Sequence, residues 1–497
     1  MEKGTKSNFT AFVVILSLTL LLSFPYLNVG LDRDEGAYLL IASKILRGGV
    51  PYRDVMESKP VAFYFFLTIP AYIFGNWING LRIFGFIIIA LTAFMIFLIG
   101  KNIRDTGLGF ISAFIFVFLQ LFIPGMFGFL LLSETVSNLF VVLAIYLLFH
   151  KKLDSKIAFI IGSVSSLAFL IRQTSLFLVA IVLPYIYYNK SIKKKSNHLY
   201  YFLLGVFSII SIFIIYLILN SAIGDAIYHT FLSMLDPYGP YATGGDASLN
   251  IFKIFFLMYF FYNNLAITLL AIIGIMTLQG IKEKIVILWF ILSLASSQIS
   301  PSVFFHYYII VLPAFSLLAG IGCKNVLGAG KIFYKNKIVY YSLSILSIVI
   351  LAILLIAQFS NFVFYPIFSM ASGKAYIDTL SYNDEIFIMD MLKNTTKGEH
   401  IFVFPSEPQI YYLTGKDPIS KKIHFNAVWF TNANYSQMEE YIFQPISEKM
   451  PKYIIIANNT HFESINKTDG GRIFMQYIYR HYHLSKETGI AQIYEIN

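Results

Sequence analysis

Apolar runs of about twenty residues recur along this chain, each followed by a short polar connection. A helix crossing a bilayer needs about 20 mostly apolar residues, because lipid offers backbone groups no hydrogen-bond partners. Runs of this kind lie near 9–29, 82–100, 107–125, 136–150, 157–171, 174–189, 199–220, 251–278, 285–300, 303–322 and 338–361. The pair 157–171 and 174–189 is short and reads also as one broken re-entrant unit. Only 13% of the 497 residues are charged, against about 25% in ordinary soluble domains. The first run is too long for a signal-peptide core and lacks a small-residue cleavage site, so it reads as an uncleaved anchor. The expectation is a polytopic α-helical membrane protein with about 11 transmembrane helices.

The net charge of +10 is unevenly placed. With these spans, Lys3, Lys6, Lys101, Arg104, Lys151, Lys152, Lys156, Lys190, Lys193, Lys194, Lys195, Lys282, Lys284, Lys324, Lys331, Lys335 and Lys337 all fall on one side. The positive-inside rule makes that side cytoplasmic, with the N-terminus. Much of the charge is thus a topology signal rather than a nucleic-acid footprint. The single cysteine, Cys323, excludes an internal disulfide.

An odd number of spans leaves the C-terminus outside. The expected division is a transmembrane domain over 1–361 and an extracytoplasmic soluble α/β domain over 362–497. Strand-like runs lie at 400–404, 452–458 and 491–496, with helix-like stretches near 383–393, 435–442 and 473–485. Asn-X-Ser/Thr sequons at Asn394, Asn434, Asn458 and Asn466 agree weakly with an outer location.

This topology sends ionisable residues from distant parts of the chain to the outer face. Asp32, Arg33, Asp34, Glu35, Glu57 and Lys59 come from the first loop, Glu134 from "LLSETVSN", Arg172 from "FLIRQTS" and His306 from "FFHYYIIVLP". Charges at membrane depth are costly and mark functional sites. Each also has a plainer reading: a solvated loop charge at 32–35, a snorkelling Lys59, a helix-start Glu134, a helix-end Arg172, a packing His306.

In the first loop, Glu35 to Arg47 reads as a short helix with Tyr38, Ile41, Ala42 and Ile45 on one face and Gly48-Gly49 as its stop. It is too short to cross the bilayer, so it is expected to lie along the surface. Asp34 is expected at its N-cap, where the helix dipole favours an ionised, fixed carboxylate of the kind a general base requires. Pro60 then begins a second interfacial helix, just behind Glu57 and Lys59.

An acidic pair after the first span, an interfacial helix ending in Gly, and E-S-K-P before an aromatic stretch together resemble the GT-C class of membrane glycosyltransferases. The likeness is to the protein O-mannosyltransferase and aminoarabinose transferase branch (glycosyltransferase families 39 and 83), and covers roughly 1–330. "LLSETVSN" resembles that branch's second outer-loop acidic motif. "SLAFLIRQTSLFLVAIVLP" resembles its A-x-L-T-K-G-P segment with Arg-Gln in place of Lys-Gly, and "HYYIIVLPAFSLLAG" its late H/R-Y…P span. The E-S-K-P motif has one residue more between Glu and Lys than the usual E-K-P-P.

The resemblance implies a GT-C fold and a polyprenyl-phosphate sugar donor presented at the outer leaflet of the lipid bilayer. It implies transfer with inversion to an acceptor hydroxyl of a protein, lipid or cell-envelope glycan. On this basis Asp34 is the expected base, with Glu35 or Glu134 positioning it or the acceptor. Lys59 and Arg172 are expected to hold the donor phosphate, and Asp32, Glu57, His306 and Tyr307 to line the substrate. Asp32-Arg33-Asp34 is also a D-x-D. No obligatory metal is expected, since Lys and Arg can neutralise one phosphate, although the acidic first loop could hold a divalent cation. The Gly-, Pro- and Tyr-rich part of 221–250 suits a flap or an ordinary connector. An oligosaccharide transferase using a lipid-linked glycan is the alternative. A lipid or polysaccharide transporter ranks below it, because the charges gather at one surface and no repeat is evident.

Overall fold

The computed structural model describes residues 2–123, 125–149, 153–188, 195–233, 248–299, 304–333, 382–392, 400–425, 430, 435–457, 460–488 and 491–497. The expected span 338–361, the 361/362 boundary, the 234–247 part of the flap, and Asn394, Asn434 and Asn458 lie outside the described residues. The chain forms two compact units. One comprises Met1–Tyr26, Arg82–Ile212 and Ala247–Phe368; the other comprises Leu27–Leu81, Phe213–Asp246 and Ser369–Asn497. The first outer loop, assigned by sequence to the transmembrane part, thus belongs to the same unit as the C-terminal residues.

The first unit is a bundle of apolar helices. Two of its helices start at a side-chain cap: Asp105 accepts from Leu108 N at the head of Thr106–Phe122, and Asp154 from Ile157 N at the head of Ser155–Ile171. Helices meet backbone to backbone at small residues. A Cβ on Gly274 would stand 2.1 Å from Leu318 O, and one on Gly322 1.8 Å from Leu270 O. Only glycine permits that approach between Leu265–Met276 and Leu312–Phe333.

Several expected spans are shorter or broken. Among the described residues four helices are long and apolar enough to cross a bilayer: Ser7–Tyr26, Ile78–Ile103, Lys195–Leu219 and Phe305–Leu327. Thr106–Phe122, Ser133–Leu148, Ser155–Ile171 and Ile281–Ser297 have only 16 or 17 residues, roughly 25 Å at 1.5 Å per residue. The eleven expected spans are therefore not all present as full-length helices. The run 251–278, expected as one span, is two helices bent by 89°. Asn264 makes the break. Its side-chain amide donates to Phe260 O at 2.7 Å, and its backbone leaves the helical region.

In the second unit, the helix Arg33–Leu46 packs against Val61–Phe74 and the short helix Gln409–Thr414. Residues Glu35 to Ala42 are all buried. The expectation of a helix lying with one face on the membrane surface is corrected to a helix covered on several sides. Gly36 makes this possible, since a Cβ there would lie 2.4 Å from the Gln409 backbone. The C-terminal sheet has strands β1 (Ile401–Phe404), β2 (Tyr453–Ala457), β3 (Tyr482–Glu487) and β4 (Ala491–Ile496), in the order β1-β2-β4-β3. β1 runs parallel to β2, and β4 is antiparallel to both neighbours. Phe402, Phe404, Ile454, Ile456, Phe474, Ile478 and Tyr494 form its core. The helix expected over 473–485 is Asp469–His481, and its last four positions belong to β3.

Candidate functional site

The helix start in the second unit differs from expectation. Asp32, not Asp34, is the N-cap: its Oδ1 accepts from Asp34 N at 2.9 Å. Glu35 closes a capping box, its Oε2 accepting from Asp32 N at 3.1 Å. Glu35 is thereby buried and engaged in the helix start. Asp34 stands in the first turn, half-buried, and its carboxylate makes no hydrogen bond or ion pair among the described residues. Partial burial and the charges of Asp34 and Glu35 push the Asp32 carboxyl up to about 7, against the Asp34 amide and the Arg33 charge, which lower it.

Lys59 Nζ lies over the Tyr38 ring, 5.5 Å from its centre. Residues four apart share a face of a helix, so Tyr38 presents Lys59 to the face that carries Asp34. The Lys59 backbone is fixed at both ends: its N–H donates to Tyr64 OH at 3.0 Å and its carbonyl accepts from Tyr52 OH at 2.7 Å. Glu57 is buried, and its Oε1 accepts from Ser58 N and Ser58 Oγ at 2.7 and 3.0 Å. Its Oε2 is 3.3 Å from His424 Nε2. Burial pushes the Glu57 carboxyl up, but the His424 hydrogen bond and charge, the Lys59 charge and the Ser58 amide outweigh it and hold it at about 2.

In the first unit, Arg172 is extended backbone between Ser155–Ile171 and the 3-10 turn Gln173–Leu176. Its Nη1 is 2.7 Å from Glu134 Oε1 and donates to Ser133 Oγ at 3.1 Å. Ser133 Oγ donates in turn to Glu134 Oε2 at 2.9 Å. His306 Nε2 is 3.5 Å from Glu134 Oε1, and the Arg172 guanidinium stacks on Tyr307 at 4.9 Å. Both Glu134 and Arg172 are buried, and the Arg172 Nε takes no acceptor among the described residues. Asn138 Nδ2 donates to Ile309 O at 2.8 Å, which fastens the helix carrying Glu134 to the turn carrying His306.

Residues 58–216 match the family model described as dolichyl-phosphate-mannose-protein mannosyltransferase. A search of curated proteins finds no match. Among solved structures, ArnT from Cupriavidus metallidurans bound to undecaprenyl phosphate superimposes with a TM-score of 0.59 at 12% identity, covering 97% of each chain. The oligosaccharyltransferase AglB from Archaeoglobus fulgidus, in complex with an inhibitory peptide and a dolichol-phosphate, gives 0.52 at 13% identity over 99% of this chain and 74% of its own. This is a GT-C fold. The mycobacterial arabinofuranosyltransferase AftD shares it, with a TM-score of 0.55 at 10% identity over 98% of this chain, which spans only 40% of AftD.

In this GT-C chain, multi-pass in the membrane, the structure brings the sequence candidates into two groups. Asp32, Asp34, Glu35, Glu57 and Lys59 fall in the second unit; Glu134, Arg172, His306 and Tyr307 meet in the first. Sequence reasoning missed His424, Ser406 and Ser133. Ser133 precedes Glu134 and was readable as its hydroxyl partner. Nothing local to His424 points to Glu57.

Proposed function

We propose that the protein is an inverting glycosyltransferase that moves a sugar from a polyprenyl-phosphate carrier to an acceptor hydroxyl at the outer membrane face. The observation that carries this reading is the Lys59 ammonium resting on Tyr38, one helical turn from an unengaged Asp34. The acceptor oxygen attacks C1 of the sugar, its proton passes to the Asp34 carboxylate, and the C1–O bond to phosphate breaks. A positioned base contributes about 10²–10⁴-fold. Lys59 takes up the charge that grows on the departing lipid monophosphate. In the other unit, Arg172 has its Nη1 held by Glu134 and Ser133 and its Nε unengaged, so it is a second candidate for a phosphate oxygen. His306 and Tyr307 hold that pair in place, and Asp32 and Glu35 secure the helix that carries Asp34.

A side-chain cation can take up the charge of a lipid monophosphate, so no metal is obligatory. The membrane orientation has its own support. In the first unit Lys101 donates to Asn8, Arg104 pairs with Glu283 at 2.7 Å and bonds Asn325, and Lys282 donates to Asn102. Basic residues from separate connections thus gather at one end, as a cytoplasmic face requires. With the odd number of spans read from the sequence, that orientation puts the residues after 361 on the extracytoplasmic side.

Purified protein incubated with a panel of glycosyl-phospho-polyprenols tests the reading, with transfer to an acceptor as the readout. Transfer only from a lipid-linked oligosaccharide replaces it with the second reading, favoured by the AglB likeness. Absence of any transfer sinks both.

A further inference from the structure

The stretch 400–425 brings to the second unit three polar contacts that the proposed chemistry does not use. Ser406 Oγ is 2.7 Å from His424 Nδ1. His424 Nε2 is 3.3 Å from Glu57 Oε2. Met56 N donates to Lys421 O at 2.8 Å. Together they form a chain from Ser406 through the imidazole to the carboxylate, beside a backbone rung one residue before Glu57.

The hydrogen bonding closes without a charge on the ring. In neutral His424 the Ser406 hydroxyl donates to Nδ1 and the Nε2–H donates to Glu57. In the imidazolium Nδ1–H donates to Ser406 Oγ instead, and the bond to Glu57 survives. Every oxygen of Glu57 is then occupied, two contacts from Ser58 on one and His424 on the other. Three of the carboxylate's roughly four acceptor positions are thus filled from within the chain. What it does hold is the chain direction at 57–59, which Tyr52 and Tyr64 hold again at Lys59. The buried Lys422, with its ammonium pushed down to about 7 by burial against the pull of Glu57, adds a further charged neighbour to the carboxylate.

We propose that His424, oriented by Ser406, is a positioning residue for the donor-phosphate cation. It anchors Glu57 so that the backbone delivers Lys59 to the Tyr38 face of the helix Arg33–Leu46. Glu57 is thereby a fastening for Lys59 and not a substrate contact. This rests on the phosphate-binding reading of Lys59.

The test uses the full-length protein in lipid nanodiscs and undecaprenyl phosphate as the probe. Saturable binding to the wild type, weakened by Lys59→Ala, establishes the reading beneath the proposal. His424→Ala is then expected to weaken binding roughly tenfold or more, the equivalent of one charge-assisted hydrogen bond. His424→Gln, whose amide can still donate to Glu57, recovers most of the loss. The pair His424→Ala and Lys59→Ala together is no weaker than Lys59→Ala alone. Additive losses, or unchanged binding in His424→Ala, overturn the proposal. A second readout stands apart from lipid binding: the acylation rate of the Lys59 amine, followed by mass spectrometry with Lys282 as the internal reference. It should change several-fold in His424→Ala and return in His424→Gln. If the wild type fails to bind undecaprenyl phosphate, the function reading falls while the amine rate still decides the positioning. An unaltered Lys59 rate in a folded His424→Ala protein refutes it.

Discussion

Lys59 Nζ stands 5.5 Å from the centre of the Tyr38 ring, one helical turn from Asp34. An aromatic face steadies an ammonium without neutralising it. The ring steadies the cation on the face of the helix that also carries Asp34.

Asp34→Asn should lower sugar transfer by roughly 10²–10⁴-fold with unchanged thermal stability. Asp32→Ala should do the reverse in kind: it removes the cap, lowering stability by about 0.5–2 kcal/mol. Paired turnover and melting measurements on the two variants separate the roles. Full turnover in a folded Asp34→Asn protein removes Asp34 as the base.

Replacing Tyr38 by Leu removes the quadrupole and keeps an apolar side chain. Undecaprenyl phosphate affinity should fall about two- to fivefold, the equivalent of a cation–π contact of about 0.5–1 kcal/mol, and Lys59→Met should cost more. Equilibrium binding in nanodiscs measures both. A larger effect from Tyr38→Leu than from Lys59→Met contradicts the assignment.

The buried pair Glu134–Arg172 is 2.7 Å apart. Removing one member leaves an unpaired buried charge, so Glu134→Gln or Arg172→Met should each destabilise by about 3–5 kcal/mol. The double change Glu134→Leu with Arg172→Met should recover much of that. Denaturant unfolding in detergent reports the difference, and equal losses in single and double variants would speak against a closed pair.

The Glu57 carboxyl is held at about 2 against an ordinary 4.5. A lowered carboxyl contributes stability that is complete above its unfolded value and lost as pH falls through the folded one. Between pH 4.5 and 2 the second unit should therefore lose on the order of 3 kcal/mol. His424, Lys59 and Ser58 are the groups that lose their anion. Hydrogen exchange at 56–59 and 421–425 should accelerate over that window in the wild type and not in Glu57→Gln.

Transfer should continue at an unchanged rate after exhaustive EDTA treatment, because the proposed phosphate contact is the Lys59 ammonium rather than a metal ion. Activity abolished by chelation and restored by Mg²⁺ overturns metal independence.

What the sequence disclosed follows from how local each cause is. Apolar runs announced the helices, because burial in lipid is a property of composition over one segment. The capping box was readable as Asp32-x-x-Glu35, yet Asp34 is an equally good cap residue by type; the third-position glutamate decides between them. The Asn263-Asn264 pair inside an apolar run was the sign of the 89° break, since a buried amide competes with the helix for its own carbonyls. β3 follows Asp469–His481 with no glycine or proline between, so only pairing with β4 marks where the helix stops. His424 gave no sign at all, because its partner lies more than 360 residues earlier.

That separation has a consequence for biosynthesis. At about 5–20 residues per second, roughly 20–70 s pass between translation of Glu57 and of His424. Throughout that interval the loop bearing Lys59 lacks both its imidazole and its rung to Lys421. A nascent chain halted before residue 421 can insert its early helices and still leave that loop unfastened, so maturation of the lysine's setting waits on the synthesis of residues 421–424.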